Sequence, residues 1–164
     1  MFLFIDNFFD MNKSAPTLHL ICGLPGSGKS TLAKKLEAEL PALRLTPDEW
    51  MARILEDGYN DKKRAVIESI QWEIAQRVLR LGVDAILESG FWRRKECCEF
   101  RDKAKELGAR AKLYYLDVPR DELLRRLKKR NNELMPYDFR VDESVLDESI
   151  KNFEAPSLEE MKSF

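Results

Sequence analysis

Residues Gly23 to Ser30 read Gly-Leu-Pro-Gly-Ser-Gly-Lys-Ser, which satisfies the pattern G-x-x-x-x-G-K-[ST] at every fixed position. The chemistry this spacing supports is anion binding. Glycines let the backbone curl so that successive N–H groups point inward at phosphate oxygens. A helix beginning near Gly28 would add the positive end of its dipole. In such a loop the lysine, here Lys29, reaches the β- and γ-phosphates of a nucleotide, and the Ser30 hydroxyl ligates Mg²⁺. Gly23, Pro25, Gly26, Ser27, Gly28, Lys29, Ser30 and Thr31 are therefore the candidate nucleotide-binding residues, with Mg²⁺ beside the phosphates.

Further groups could complete a transfer reaction. Thr46-Pro47-Asp48-Glu49 reads as a helix start, with Thr46 as cap, Pro47 at the first helical position and Glu49 closing a capping box. Asp48 in that first turn is either an acid on the helix dipole, worth about 0.5 kcal/mol, or a general base that orients an acceptor hydroxyl. The single histidine, His19, lies inside an apolar run and reads as a core residue, which leaves the base to a carboxylate. Glu88 ends the run Ala85-Ile86-Leu87, where an acid near the metal would stand, although the usual residue there is Asp. Ser30 and Glu88 are the candidate metal ligands. Gly90 permits a close turn past a ligand. Phe91 and Trp92 could line an acceptor pocket or simply pack, and Arg93 and Arg94 could bind an acid or form a solvated face. Arg126 and Arg130 are four residues apart on one helix face. They could neutralise charge on a transferred phosphoryl group, or belong to the basic surface that also carries Arg125, Lys128 and Lys129. Lys29, Asp48, Arg126 and Arg130 are the candidate catalytic residues.

Four apolar runs must position these groups as strands: Thr17 to Cys22, Ala42 to Leu45, Asp84 to Glu88 and Ala111 to Leu116. Helical stripes lie between them, including Val66, Ile70, Ile74, Val78 and Leu81, and then Cys97, Phe100, Ala104 and Leu107. Strands alternating with helices imply crossover units and a mostly parallel sheet, whose ligands bind beyond the carboxyl ends of the strands. Asn131 to Asp138, with Pro136, reads as the mobile connection behind a lid.

The length of 164 residues suits one domain, and 44% hydrophobic with 35% charged residues describes a soluble globular chain. A net charge of −1 disfavours long nucleic acid as the main partner. Cys22, Cys97 and Cys98 show neither a disulfide framework nor metal spacing, and read as reduced thiols in a cytoplasmic protein. The first ten residues are apolar but carry Asp6 and Asp10 and no leading positive charge. Their apolar run is too short for a signal core or a membrane span. Residues 1–14 are expected to be an extension, residues 15–164 a single domain with a lid at about 120–140, and no membrane partner is expected.

Five blocks in order resemble the zeta-toxin-like small P-loop kinases of the AAA_33 type. They are Gly23 to Thr31, Leu45-Thr46-Pro47-Asp48, Gly90-Phe91-Trp92, Leu116-Asp117-Val118-Pro119 with Arg126-Leu127 and Arg130-Asn131, and Phe153-Glu154-Ala155-Pro156. In its core the group is similar to polynucleotide 5′-hydroxyl kinases, chloramphenicol phosphotransferase and gluconate or shikimate kinases. The resemblance implies a three-layer α/β/α P-loop NTPase fold with a helical lid, ATP as donor and Mg²⁺. It places Asp48 at the family's base and Arg126 and Arg130 at its lid. Glu88-Ser89 departs from the Asp-Phe pair of many relatives. Met51 stands where the polynucleotide kinases have an arginine that supports the base, which disfavours a polynucleotide acceptor. A final edge strand seen in some relatives is expected to be missing. The expected activity is transfer of the ATP γ-phosphoryl group to a hydroxyl of a small molecule. The alternatives are an ATPase module without a separate acceptor and a polynucleotide 5′-hydroxyl kinase.

Overall fold

Strand β1 (Thr17–Cys22) is buried at every position and forms the centre of the sheet. A computed structural model describes residues 14–55, 60–134 and 138–164. Residues 1–13 of the expected extension and residues 135–137 of the expected lid connection lie outside the described residues. The other strands are β2 (Ala42–Leu45), β3 (Asp84–Gly90) and β4 (Arg110–Tyr115), in the order β2-β3-β1-β4, and every pairing is parallel. The helices are α1 (Lys29–Glu39), α2 (Pro47–Leu55), α3 (Asp61–Arg80), α4 (Arg94–Glu106), α5 (Arg120–Asn132), α6 (Glu143–Asn152) and α7 (Leu158–Lys162).

Alternation along β1 splits the core. Leu18, Leu20 and Cys22 pack with Ala75 and Leu79 of α3 and Ala104 of α4, while Ile21 packs with Ala33 and Leu36 of α1 on the opposite face. The result is a three-layer α/β/α arrangement. The helix after β1 and the helix after the neighbouring β3 thus lie on opposite faces, which opens a crevice at the carboxyl ends of these two strands. A third cluster, Leu123, Leu127 and Leu146 with Leu24, seats α5 and α6 over the glycine loop. No helix among the described residues is long and apolar enough to cross a membrane.

The structure moves some expected boundaries and faces. Strand β3 runs on to Gly90, and its register against β1 slips between Leu20 and Cys22, so that one extra β3 residue is accommodated at Glu88–Ser89. Such irregularities re-aim side chains beside functional sites. The buried face of α3 is Ile67, Gln71, Ala75 and Leu79. Of the expected stripe, Ile74 and Val78 pack against the core, whereas Val66 and Ile70 are 59% and 43% exposed and Leu81 is also exposed. The row that meets the sheet contains a glutamine and an alanine, so the more hydrophobic neighbouring row wins any count made on sequence alone.

His19 is held between Tyr114 Oη (3.0 Å) and Asp84 (3.2 Å). Burial pushes its pKa down, with Asp84 opposing, so it is a satisfied core residue as expected. Cys22 and Cys97 are buried free thiols and Cys98 is partly exposed.

Candidate active site

The glycine loop joins β1 to α1, and its conformation requires its residue types. Gly26 has φ +81°, and a Cβ there would lie 3.0 Å from Leu127 Cγ and 3.3 Å from the Leu123 carbonyl. Only glycine lets α5 pack this closely on the loop. Gly28 caps α1 at φ 101°, also in the left-handed region. Lys29 Nζ donates to the carbonyls of Gly23 and Leu24, both at 3.0 Å. Burial pushes its pKa down, with the charges of Glu88 and Asp48 opposing. Two buried polar atoms around the loop, Ser27 Oγ and Arg130 Nε, have no hydrogen-bond partner among the described residues. Unpaired buried groups of this kind are expected where a ligand supplies the partner, and here they flank a lysine and a helix N-terminus suited to phosphate. The residues present therefore fit a nucleotide phosphate chain.

Glu88 and Ser30 come together across the crevice, with the Ser30 hydroxyl donating to Glu88 Oε1. Thr46 Oγ1 donates to Glu88 Oε2 at 3.1 Å and accepts from Arg44 at 2.6 Å. Arg44 also pairs with Glu49 at 2.9 Å. The Thr46 and Glu49 side chains expected to close a capping box are thus taken up by Arg44 and Glu88, because the guanidinium and the buried carboxylate compete for them. Burial pushes the Glu88 pKa up, while Ser30, Lys29 and Thr46 pull it down. One carboxylate and one hydroxyl suit Mg²⁺, which is usually held by few protein ligands together with phosphates and water. Among the described residues no group of three or more His, Cys, Asp or Glu could hold a metal alone.

Asp48 projects from the first turn of α2 and pairs with Arg64 of α3 at 2.6 Å. The sequence placed no arginine near this acid, since Met51 occupies the expected position and is fully buried. The structure supplies one from another helix, 16 residues along the chain. Arg64 also lies 3.9 Å from Glu68.

The arginine helix is docked on the loop. Arg126 Nη1 donates to the Ser27 carbonyl at 3.3 Å, and its Nε pairs with Glu122 at 2.7 Å. Arg130 Nη2 donates to the Phe139 carbonyl at 3.1 Å. Asn131 exchanges two hydrogen bonds with the Val141 backbone, at 2.8 and 3.2 Å, which ties the segment after α5 back to it.

After β3 the chain turns sharply. Gly90 has φ +85° and Phe91 has φ 47°, the one non-glycine in the left-handed region among the described residues. Such a conformation costs about 1–3 kcal/mol and clusters at functional sites. The Gly90 carbonyl accepts from Gly23 N at 3.3 Å, coupling this turn to the phosphate loop. Phe91 is buried against Phe100, and Trp92 is 38% exposed at the cleft. Arg94 turns away to the Ala155 carbonyl (2.8 Å) and Glu160 (3.6 Å).

A single cleft of about 1290 Å³ is lined by Gly23, Lys29, Ser30, Thr31, Glu88, Arg126 and Arg130 and continues past Asp48 and Arg64. If the two α5 arginines act on charge developing in this cleft, the double variant Arg126→Ala/Arg130→Ala should lower kcat by about 10³-fold or more and change the KM for ATP less. Steady-state kinetics on the double variant checks this, and a wild-type kcat would leave the pair with a docking role only.

Residues 18–156 match the AAA domain family AAA_33, and the chain belongs to that family. Among solved structures it is similar to Kti12 of Chaetomium thermophilum in complex with ADP-AlF3, with TM-score 0.64, 18% identity, and coverage of 85% of this chain and 81% of that one. It is similar to a gluconokinase of Sinorhizobium meliloti, with TM-score 0.54, 21% identity, and coverage of 88% and 79%. A chain of the Pnkp1/Rnl/Hen1 complex gives TM-score 0.59 at 22% identity over 68% of this chain. This chain spans only 38% of that protein's length. At these identities the likeness concerns the fold, which is the three-layer fold of P-loop kinases and NTPases.

Proposed function

We propose that this chain transfers the γ-phosphoryl group of ATP to a hydroxyl of a small molecule. The observation that carries the reading is the continuity of the cleft. The phosphate loop, Asp48, Trp72, Phe91 and Phe100 all line it, so a second substrate has a place beside the nucleotide.

In this reading Lys29 and the loop amides from Gly23 to Thr31 hold the phosphate chain, with Ser27 Oγ as a further donor. Ser30 and Glu88 would hold Mg²⁺, which when bound supplies positive charge beside the phosphates. The acceptor hydroxyl donates its proton to Asp48 as its oxygen bonds to the γ-phosphorus, and the bond to ADP breaks. Arg64 holds the Asp48 carboxylate in position, and Arg126 and Arg130 offset the charge on the transferred group. Residues 15–164 act as one domain, with α5 and the segment behind it as the lid. The test is ADP release from Mg–ATP with and without a small-molecule cell extract. Stimulation is expected, and ADP release indifferent to the extract would contradict the reading.

A second reading, phosphorylation of a 5′-hydroxyl polynucleotide end, gains from the Arg64–Asp48 pair, which restores the arginine that the sequence lacks at position 51. It also gains from the likeness to a chain of the complex called an RNA repair complex. Labelling of a 5′-hydroxyl oligonucleotide from γ-labelled ATP tests it.

A further inference from the structure

The proposed reaction leaves Gln71 without a role. It lies two turns after Arg64 on α3, in the buried row with Ile67, Ala75 and Leu79, and is 1% exposed. Both atoms of its carboxamide lack a hydrogen-bond partner among the described residues. An unpaired buried amide is destabilising, and a leucine would pack in this row without that cost. Gln71 lines the cleft at its Asp48 end, beside Glu68 and Trp72. An orphaned donor and acceptor on the lining of the cleft suit a ligand that brings the missing partners.

The walls there narrow what the ligand can be. Trp72 meets Phe100 edge-on at 4.9 Å, and Phe91 meets Phe100 at 5.4 Å, which gives an apolar surface for a ring. The charged residues that α2, α3 and α4 contribute to the cleft lining are Asp48, Glu49, Asp61, Arg64, Glu68 and Glu96. Arg64 is already on Asp48, and Glu49 is on Arg44. Lys103 lies over the rings of Trp72 and Phe100 but does not line the cleft. The acids at this end outnumber the one arginine, so a carboxylate or phosphodiester entering it would meet a net negative surface, and like charges disfavour binding.

We propose that Gln71 is a second acceptor-binding residue beside Asp48. The acceptor is an uncharged or cationic alcohol that lays an apolar ring face on the aromatic wall and hydrogen-bonds the Gln71 carboxamide. This rests on the phosphotransferase reading above and goes further by excluding acids and nucleic-acid ends.

The test offers Mg–ATP and one of three probes to the full chain. A small-molecule cell extract is divided on an anion-exchange resin into an unretained fraction and a retained, acidic one, and a 5′-hydroxyl oligonucleotide is the third probe. The unretained fraction should stimulate ADP release. Stimulation confined to the acidic fraction or the oligonucleotide overturns the acceptor class and leaves the phosphotransferase reading standing. Stimulation by none overturns both. With the active fraction, Gln71→Leu should raise the amount needed for half-maximal stimulation by about tenfold or more, as expected when a buried hydrogen bond to the ligand is lost. Its Tm should hold or rise, and its Kd for ATP should not change. Gln71→Met, which keeps the length of the side chain, gives a second measure if the leucine variant folds poorly. An unchanged half-saturation in the folded variant assigns Gln71 to packing and overturns its role.

Discussion

Lys29→Ala is expected to abolish ATP turnover while leaving a folded protein. In the structure the ammonium donates to two loop carbonyls, both at 3.0 Å, and burial already works against its charge. The fold therefore loses little when it goes. With nucleotide bound, the same group would make charge-assisted bonds to the β- and γ-phosphates, each worth about 1.5–3 kcal/mol. ATP affinity should fall by about tenfold or more, and turnover below detection. Titration of ATP, a melting curve and a turnover assay on one preparation check the three parts. Turnover that survives at the wild-type rate removes the phosphate-loop reading.

Asp48→Asn separates a transferase from a hydrolase. The swap keeps shape and removes both charge and basicity. Loss of a positioned base costs about 10²- to 10⁴-fold, so acceptor-dependent turnover should fall by that factor with ATP affinity unchanged. As a mere helix-dipole acid, Asp48 would instead cost a few tenths of a kcal/mol in stability and nothing in rate. The pair with Arg64 bears on the comparison, because the asparagine removes the carboxylate at 2.6 Å and leaves Glu68 at 3.9 Å from that guanidinium. If ATP affinity falls in step with turnover, Asp48 serves the nucleotide instead. If turnover survives, Glu88 becomes the next candidate for the base.

Much of this arrangement is legible in the residues themselves. The four strands follow from short apolar runs bounded by glycine, proline or charge, and the glycine loop declares its strand–turn–helix context directly. The position of Glu88 beside Ser30 follows from one run ending at the crevice. What is not legible depends on packing across elements. The buried row of α3 contains Gln71 and Ala75, so its hydrophobic signal is weaker than that of Val66 and Ile70 beside it. Arg64 reaches Asp48 from a separate helix, and no periodicity links the two. Gln71 reads as an ordinary polar helix residue until its burial and its missing partners are seen. The docking of α5 on the loop rests on Gly26 against Leu127, which the sequence shows only as a motif glycine and a stripe leucine.

The central claim is that the phosphoryl group of ATP leaves on a second substrate and not on water. The most direct measurement follows the label of γ-labelled ATP incubated with the chain, Mg²⁺ and a small-molecule cell extract. The expected result is label in an organic product, in amounts equal to the ADP formed, and lost in Asp48→Asn. Label recovered entirely as inorganic phosphate, with or without the extract, would contradict it.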